Sequence, residues 1–338
     1  MLLQAGRKKL SAKTIDEIDA KILNDLLRDG RKKFTTIAKE AQVSKDVIFQ
    51  HYSRMKKKRI IIGATVLVDY KALGRNVNAS ITLKSPIAAQ KLVIEQLSAI
   101  PGLYDVYQWG SSSRLWAVLH LKDTQEIENV KQFIKKILFV TDMEIEIWVG
   151  TRNLLTNLSA LSTDDSSTDT NNRRSRESGI KTGSISLDEL DRQIIEQLVY
   201  NGRLSFSNIA KITKSSTATI MRRCQKLAQN NIVKPIIQIN PSKIGYPASA
   251  GFRLTANGQD DFDKIADAIS KIPDVINIYK TIGMYDFTVF ACVKNLQHLI
   301  DLENQIGKTV GIQEVEKATV VSLKLGYLPF PALPISTF

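Results

Sequence analysis

The sequence predicts an α+β chain built twice on one plan, a three-helix unit followed by a βαββαβ unit. Three observations carry this. Residues 16–60 and 188–232 align without a gap at a constant shift of about 172 positions, the self-similarity that marks an internal repeat. Asp16/Asp188, Asp19/Asp191, Ile22/Ile194, Leu26/Leu198, Gly30/Gly202, Arg31/Arg203, Phe34/Phe206, Ile37/Ile209, Ser44/Ser216 and Ile48/Ile220 are among the identical pairs. After each helical stretch the apolar period changes from that of a helix to the two-residue alternation of strands. Between the halves, residues 152–184 are Ser, Thr, Asp, Asn and Arg with little apolar content, the composition of a disordered linker.

The elements follow in order. Residues 1–14 are basic and unpatterned and read as a mobile arm. Residues 15–60 hold three helices, the third over Ser44–Lys57 with Ile48, Tyr52 and Met55 inward. The unit 61–151 opens with a strand over Ile60–Val68 and a turn at Leu73-Gly74-Arg75. A strand over Val77–Leu83, a helix from Pro86 to Ile100, strands over Tyr104–Trp109 and Leu115–Leu121, a helix over Thr124–Leu138 and a strand over Glu144–Val149 complete it. That order is a ferredoxin-like split βαβ, an antiparallel four-stranded sheet with helices on one face.

The second half repeats this. In 185–232, Leu190, Ile194, Ile195 and Leu198 share a helix face, and Asn201-Gly202 stops the helix through a left-handed glycine. Ser205 caps a short second helix. Ser216 caps a third, with Ile220, Cys224 and Leu227 inward and Met221, Arg222, Arg223 and Lys226 outward. Two short helices joined by a polar turn, the second basic outside, describe a helix-turn-helix reader of duplex DNA. The unit 233–326 has strands over Val233–Ile239, Ala248–Leu254, Val275–Thr281, Phe287–Val293 and Val315–Leu325, with helices over Asp260–Lys271 and Leu296–Val310. The tail 327–338 holds three prolines and reads as irregular.

Composition narrows the function. The chain of 338 residues is 43% hydrophobic, enough to bury real cores, and its formal net charge is +13. That charge favours a polyanion, nucleic acid or an anionic membrane surface, over a merely solvated basic surface. No apolar run reaches the ~18 residues of a membrane span, and MLLQAGRKKL lacks the apolar core of a secretory signal. No membrane partner is expected, and the location expected is cytoplasmic, at the nucleoid. Cys224 and Cys292 sit at apolar positions and read as core residues of a reducing compartment.

The set Leu187-Asp188-Glu189-Leu190-Asp191, Ile194, Asn201-Gly202-Arg203, Ile209-Ala210, Ser216, Arg223, Lys243-Ile244-Gly245, Pro273-Asp274-Val275 and Gly283-Met284-Tyr285-Asp286 resembles the Lrp/AsnC feast/famine transcription regulators of bacteria and archaea. The resemblance covers nearly all of 187–325. The first half is similar over 15–150 but departs at His51, which stands where the second half has Arg223, and at Gly110–Ser113, which replaces the Gly-x-Tyr-Asp turn. It implies two winged-type helix-turn-helix domains, each followed by a ferredoxin-like βαββαβ (RAM-type) domain, duplicated in one chain of archaeal type. It further implies self-association through the βαββαβ domains, sheet to sheet, as a pseudo-dimer or homo-oligomer, and an amino-acid-like effector.

The third helices are the candidate base readers, since a helix fits the ~12 Å major groove and Arg bridges both guanine acceptors. In the second half the candidates are Ser216, Thr217, Thr219, Met221, Arg222 and Arg223, with Lys226 on phosphate. In the first they are Lys45, Asp46, Phe49, Gln50 and Ser53, with Lys56 and Lys57 in a basic run that grips the backbone. Gln50 suits adenine; Asp46 either accepts from cytosine or balances Lys45. Phe49 and Met221 have packing against a neighbouring helix as their alternative. Because the two faces differ, the expected DNA site is an imperfect palindrome or two unlike half-sites. The second half is expected to do more of the sequence reading and ligand sensing, the first more of the backbone grip.

Gly283, Met284, Tyr285 and Asp286 form the candidate effector turn, where Asp286 could hold an ammonium group or simply cap backbone. Related proteins of the same domain order decarboxylate sirohaem and are the alternative. They need a catalytic His on the βαββαβ sheet, and the three histidines here, His51, His120 and His298, do not fit that pattern. No metal constellation, nucleophile triad or phosphate loop is present in the sequence, so no catalytic residue, metal or cofactor is expected.

Overall fold

An aspartate pair opens each three-helix unit. Asp16 and Asp188 accept from the backbone three residues on, and Asp19 and Asp191 reach back, so each first turn has its spare N–H groups satisfied reciprocally. The computed structural model describes residues 15–108, 113–162, 187–258 and 261–322, with backbone alone at 105 and 317–322. The basic arm, the turn at 109–112, the linker from 163 to 186 and the tail beyond 322 lie outside the described residues.

The first half runs α1 (Glu17–Arg28), α2 (Phe34–Glu40), α3 (Lys45–Lys57), β1 (Ile61–Val68), β2 (Val77–Lys84), α4 (Gln90–Leu97), β3 (Leu103–Gln108), β4 (Arg114–Leu121), α5 (Thr124–Ile134) and β5 (Asp142–Asn153). The second runs through the same order: α6 (Glu189–Tyr200), α7 (Phe206–Ile212), α8 (Thr217–Gln229), β6 (Val233–Ile239), β7 (Ala248–Ala256), α9 (Phe262–Ser270), β8 (Val275–Ile282), β9 (Phe287–Val293), α10 (Leu296–Gly307) and β10 (Ile312–Ser322). Ser44, Ser205 and Ser216 cap α3, α7 and α8. Four helices, α4, α5, α9 and α10, are shorter than their apolar spacing suggests: each last turn gives way to a tight turn before the next strand, and α4 also starts later, after a short 3-10 turn over Ile87–Ala89. No helix among the described residues is long and apolar enough to cross a membrane.

Strands β5-β2-β4-β3 and β10-β7-β9-β8 each have the order of a ferredoxin-like sheet, and β5 pairs with β8 to make one antiparallel eight-stranded sheet. α4 and α5 cover one face of the first half-sheet, α9 and α10 one face of the second. The helix-free faces meet. Trp148 stacks on Tyr279 at 4.0 Å and Trp116 lies 5.2 Å from Phe290. Arg253 crosses the seam to Glu144 (2.9 Å) and to the Thr82 hydroxyl. Buried Glu146 accepts from Ser80 and Thr288 there, and desolvation holds its pKa above the ordinary carboxylate range.

The strand after each three-helix unit joins neither half of that sheet. β1 and β6 pair with each other, from Ile61↔Ile239 to Val68↔Val233. The exchange is reciprocal: Ile236, Ile237 and Ile239 of β6 lie in the core of α1–α3, and Val66 of β1 lies in the core of α6–α8.

Two expectations need correction. Gly202 does not take the left-handed conformation; Asn201 ends α6 with an extended backbone (φ −150°). Glycine is required because a Cβ there would stand 2.1 Å from the Thr65 carbonyl oxygen. The linker also begins later than its composition suggests. β5 continues to Asn153, and Leu155, Leu158 and Leu161 are buried in the core of the first three-helix unit. This strap is pinned to the second βαββαβ unit: buried Asp274 accepts from the Ser159 N–H (2.6 Å), the Ser159 hydroxyl (2.9 Å) and the Tyr246 hydroxyl (2.6 Å). The segment packs as a strap because Leu155, Leu158 and Leu161 are buried against the first three-helix unit, with Ala160 partly buried beside them and Leu154 against the second βαββαβ core.

Candidate nucleic-acid interface

The outward faces of α3 and α8 are set by what holds the helices from behind. In α8, Ile220, Cys224 and Leu227 are buried, which leaves Thr217, Met221, Arg222 and Lys226 exposed and Thr219 half-buried. Met221 is 43% exposed, so it is not packed against a neighbouring helix. Ser216 is spent on the cap: its oxygen accepts from the Thr219 N–H at 3.0 Å and its hydroxyl donates to the Thr219 oxygen at 2.9 Å.

Arg223 departs from its expected role. Its Nη1 donates to Asp188 Oδ1 (2.7 Å), Asp188 Oδ2 (2.6 Å) and Asp191 Oδ1 (3.0 Å). The guanidinium therefore faces the start of α6 and fastens α8 to it, and the same hydrogen bonds hold the Asp188 carboxyl below the usual range. Helical spacing counts Arg223 as outward because it ignores the reach of a long side chain across to the neighbouring capping box.

In α3, Ile48 and Met55 are buried while Lys45, Asp46, Phe49, Gln50, Ser53, Lys56 and Lys57 are all exposed. Phe49, at 57% exposure, faces solvent and not a neighbouring helix. His51, in the register of Arg223, also turns inward, with Nδ1 3.0 Å from Asp19. Arg54 supplies the charge that Arg223 supplies in the other unit, donating to Asp16 (2.7 Å) and Asp19 (2.6 Å). Asp16, Asp19 and His51 are close enough to bind a metal ion, but the Arg54 guanidinium already pairs with both carboxylates.

The two three-helix units touch through Gly30, Arg31 and Phe34 and their sequence counterparts Gly202, Arg203 and Phe206. The Gly30 N–H donates to the Pro235 carbonyl (2.7 Å) and the Gly202 N–H to the Ala64 carbonyl (3.1 Å). Arg31 donates through Nε to the Gly202 carbonyl (3.0 Å) and through Nη2 to the Leu204 carbonyl (2.8 Å), with its guanidinium 4.8 Å from the Phe206 ring centre. Arg203 returns the contact over Phe34 (5.1 Å) and Tyr52 (5.5 Å).

At the candidate effector turn, Asp286 Oδ2 accepts from the Ala256 N–H at 2.7 Å and the Thr281 hydroxyl donates to the Tyr285 carbonyl at 2.7 Å. Asp286 thus fastens the turn to the end of β7. Gly283 abuts the partner half-sheet, where a Cβ would lie 3.1 Å from the Ile145 carbonyl oxygen, and Met284 is exposed. Beside the turn lies a cleft of about 270 Å³ lined by Thr255, Tyr285, Glu314, Val315 and Glu316. The turn at Gly110–Ser113 lies outside the described residues apart from Ser113.

The histidines are all engaged. His120 is buried, stacked on Tyr70 at 3.8 Å, and desolvation takes its pKa down to about 3. His298 faces Asp274 at 3.3 Å.

Known proteins match this chain in sequence and in fold. The AsnC-type helix-turn-helix domain profile matches residues 187–228, and the Lrp/AsnC ligand binding domain profile matches residues 248–324. HTH-type transcriptional regulator FL11 of Pyrococcus horikoshii is 30% identical over 141 residues, which span 41% of this chain and 91% of that protein. An uncharacterized HTH-type transcriptional regulator of Pyrococcus abyssi is 32% identical over 132 residues, 39% of this chain and 87% of that one. Among solved structures, the siroheme decarboxylase NirDL superposes with a TM-score of 0.59 over 91% of both chains at 16% identity, a likeness of fold alone.

Proposed function

The chain belongs to the Lrp/AsnC family, and we propose that it regulates transcription by holding duplex DNA with two unequal helix-turn-helix readers carried on one polypeptide. It is a regulator and not an enzyme. The observation that carries the reading is the pair of exposed helix faces on α3 and α8, each helix fastened from behind to an aspartate capping box. Arg222 is assigned to guanine, with Thr217, Thr219 and Met221 beside it and Lys226 on phosphate. Gln50 is assigned to adenine, flanked by Lys45, Asp46, Phe49 and Ser53, while Lys56 and Lys57 grip the backbone.

The recurring element order supports a duplication, with readers in 15–60 and 185–232 and βαββαβ domains after each. The β1–β6 ladder supports a pseudo-dimer within one chain, and relatives from Pyrococcus support archaeal descent. The cleft beside Tyr285, lined by Glu314 and by Glu316 with its arginine partners Arg114 and Arg253, supports a small polar effector such as an amino acid.

Duplex affinity measured across salt concentrations tests this. Wild-type affinity is expected to fall linearly on logarithmic axes, and K56A/K57A to weaken all sequences alike and lower the slope by up to ~1.8, about 0.9 for each phosphate that is no longer neutralised. R222A is expected to lose about 1–3 kcal/mol of discrimination at one base pair. Absence of salt-dependent duplex binding, or a tetrapyrrole bound after purification, would overturn the reading.

A further inference from the structure

We propose that the reciprocal Gly30-Arg31 and Gly202-Arg203 contact is the device that fixes the spacing and phase of the two DNA half-sites. The proposal rests on the two-reader function above. Readers joined only by a flexible tether tolerate many separations, because the tether sets an effective concentration and not an orientation. Readers locked face to face accept one separation, since each added base pair rotates the next half-site by about 35° around the helix axis.

The contact has the features of a lock. Both glycines are pressed onto the exchanged strands: a Cβ on Gly30 would stand 2.6 Å from Ile236 Cα, and one on Gly202 2.1 Å from the Thr65 carbonyl oxygen. Thr65 ties the same strand to the first helix of the other unit, its buried hydroxyl donating to the Val199 carbonyl at 2.9 Å. This closeness brings each arginine to the opposite reader. Arg31 makes two backbone hydrogen bonds, to Gly202 and Leu204, in the turn that leads into α7, and covers Phe206 at the start of that helix. Two-point donation from a planar guanidinium fixes direction as well as distance.

The return contact is made differently. The Arg203 guanidinium lies over Phe34 and Tyr52, whose rings are 5.0 Å apart, and its Nη1 is buried with no hydrogen-bond partner among the described residues. Tyr52 belongs to α3 itself, so Arg203 of the second reader bears directly on the recognition helix of the first. Cys224 occupies the matching register of α8 and carries no ring. The orientation of the first reader thus depends on Arg203 more than that of the second depends on Arg31. Neither arginine lies on the outward face of a recognition helix.

The test uses the intact chain and duplexes carrying its two selected half-sites at separations varied one base pair at a time. Wild type is expected to lose on the order of tenfold in affinity when the separation changes by two base pairs, a rotation of about 70°. R31A/R203A is expected to reduce that penalty to a few-fold, and R203A alone to relax it more than R31A alone. R31K/R203K keeps charge and stem but can neither donate at two points from residue 31 nor lay a planar guanidinium over Phe34 and Tyr52 from residue 203. It is expected to behave like the alanine pair and decides the matter if the alanine pair does not fold. Native thermal melting and binding to a single half-site separate lost spacing from lost structure. A folded variant that keeps the full spacing penalty would overturn the proposal, as would a wild type with no penalty. Failure of wild type to bind either half-site alone or together would instead overturn the DNA-reading function.

Discussion

Arg223 and His51 occupy one register position in α8 and α3, and both turn back toward carboxylates at the start of the unit. The first reader keeps the function and moves the charge one turn along, to Arg54. R223A is therefore expected to destabilise the second reader while leaving base preference nearly intact. The effect should be small, since this ion pair is largely open to solvent and screened there. The pH dependence has a definite sign. Asp188 has a lowered pKa in the folded protein, so its contribution is present above the ordinary carboxylate range and is lost as pH falls through the lowered value. Thermal melts should show wild type and R223A differing at pH 7 and converging in acid; a gap that stays constant to low pH would contradict the ion-pair role. Residue types and helix faces were legible in the sequence because they follow from spacing. The destination of a long side chain was not, because spacing says nothing of the neighbouring helix. Asp286 and Gly202 were illegible for the same reason: the groups they serve, the Ala256 N–H and the Thr65 carbonyl, lie on strands brought there by tertiary structure.

At the scale of elements, strand and helix order followed from apolar period, and several bounds agree to the residue, such as Val233–Ile239 and Phe287–Val293. The strap at 154–162 was hidden because the long polar stretch after it dominates the composition of 152–184. Leu154, Leu155, Leu158, Ala160 and Leu161 mark it, and their value appears once α1 is seen beneath the strap, with Asn24 Nδ2 donating to the Leu161 carbonyl at 2.7 Å. L158A should cost roughly 2–4 kcal/mol, the usual loss for emptying a buried leucine site. Hydrogen exchange should register it in α1–α3 and leave α6–α8 unchanged. Equal loss of protection in both readers would show that the strap does not serve the first reader specifically. The partners of β1 and β6 were equally out of reach of the sequence, since two strands of similar alternation can pair with any free edge.

At the scale of the whole molecule, the cores cross between halves. The core of α1–α3 continues into Ile244, Tyr246, Ile276 and Cys292 of the second βαββαβ unit, through the strap and β6. The expected division, with sensing and reading both in the second half, does not follow this packing. The unit that carries the Gly283–Asp286 turn is joined most closely to the first reader.

The most direct measurement is selection of binding sites by the intact chain from random duplexes, followed by sequencing. Two unlike half-sites at a single separation near one helical turn, ~34 Å between centres, are the expected outcome. A pool without enrichment, or a perfect palindrome read by one type of helix, would contradict the account.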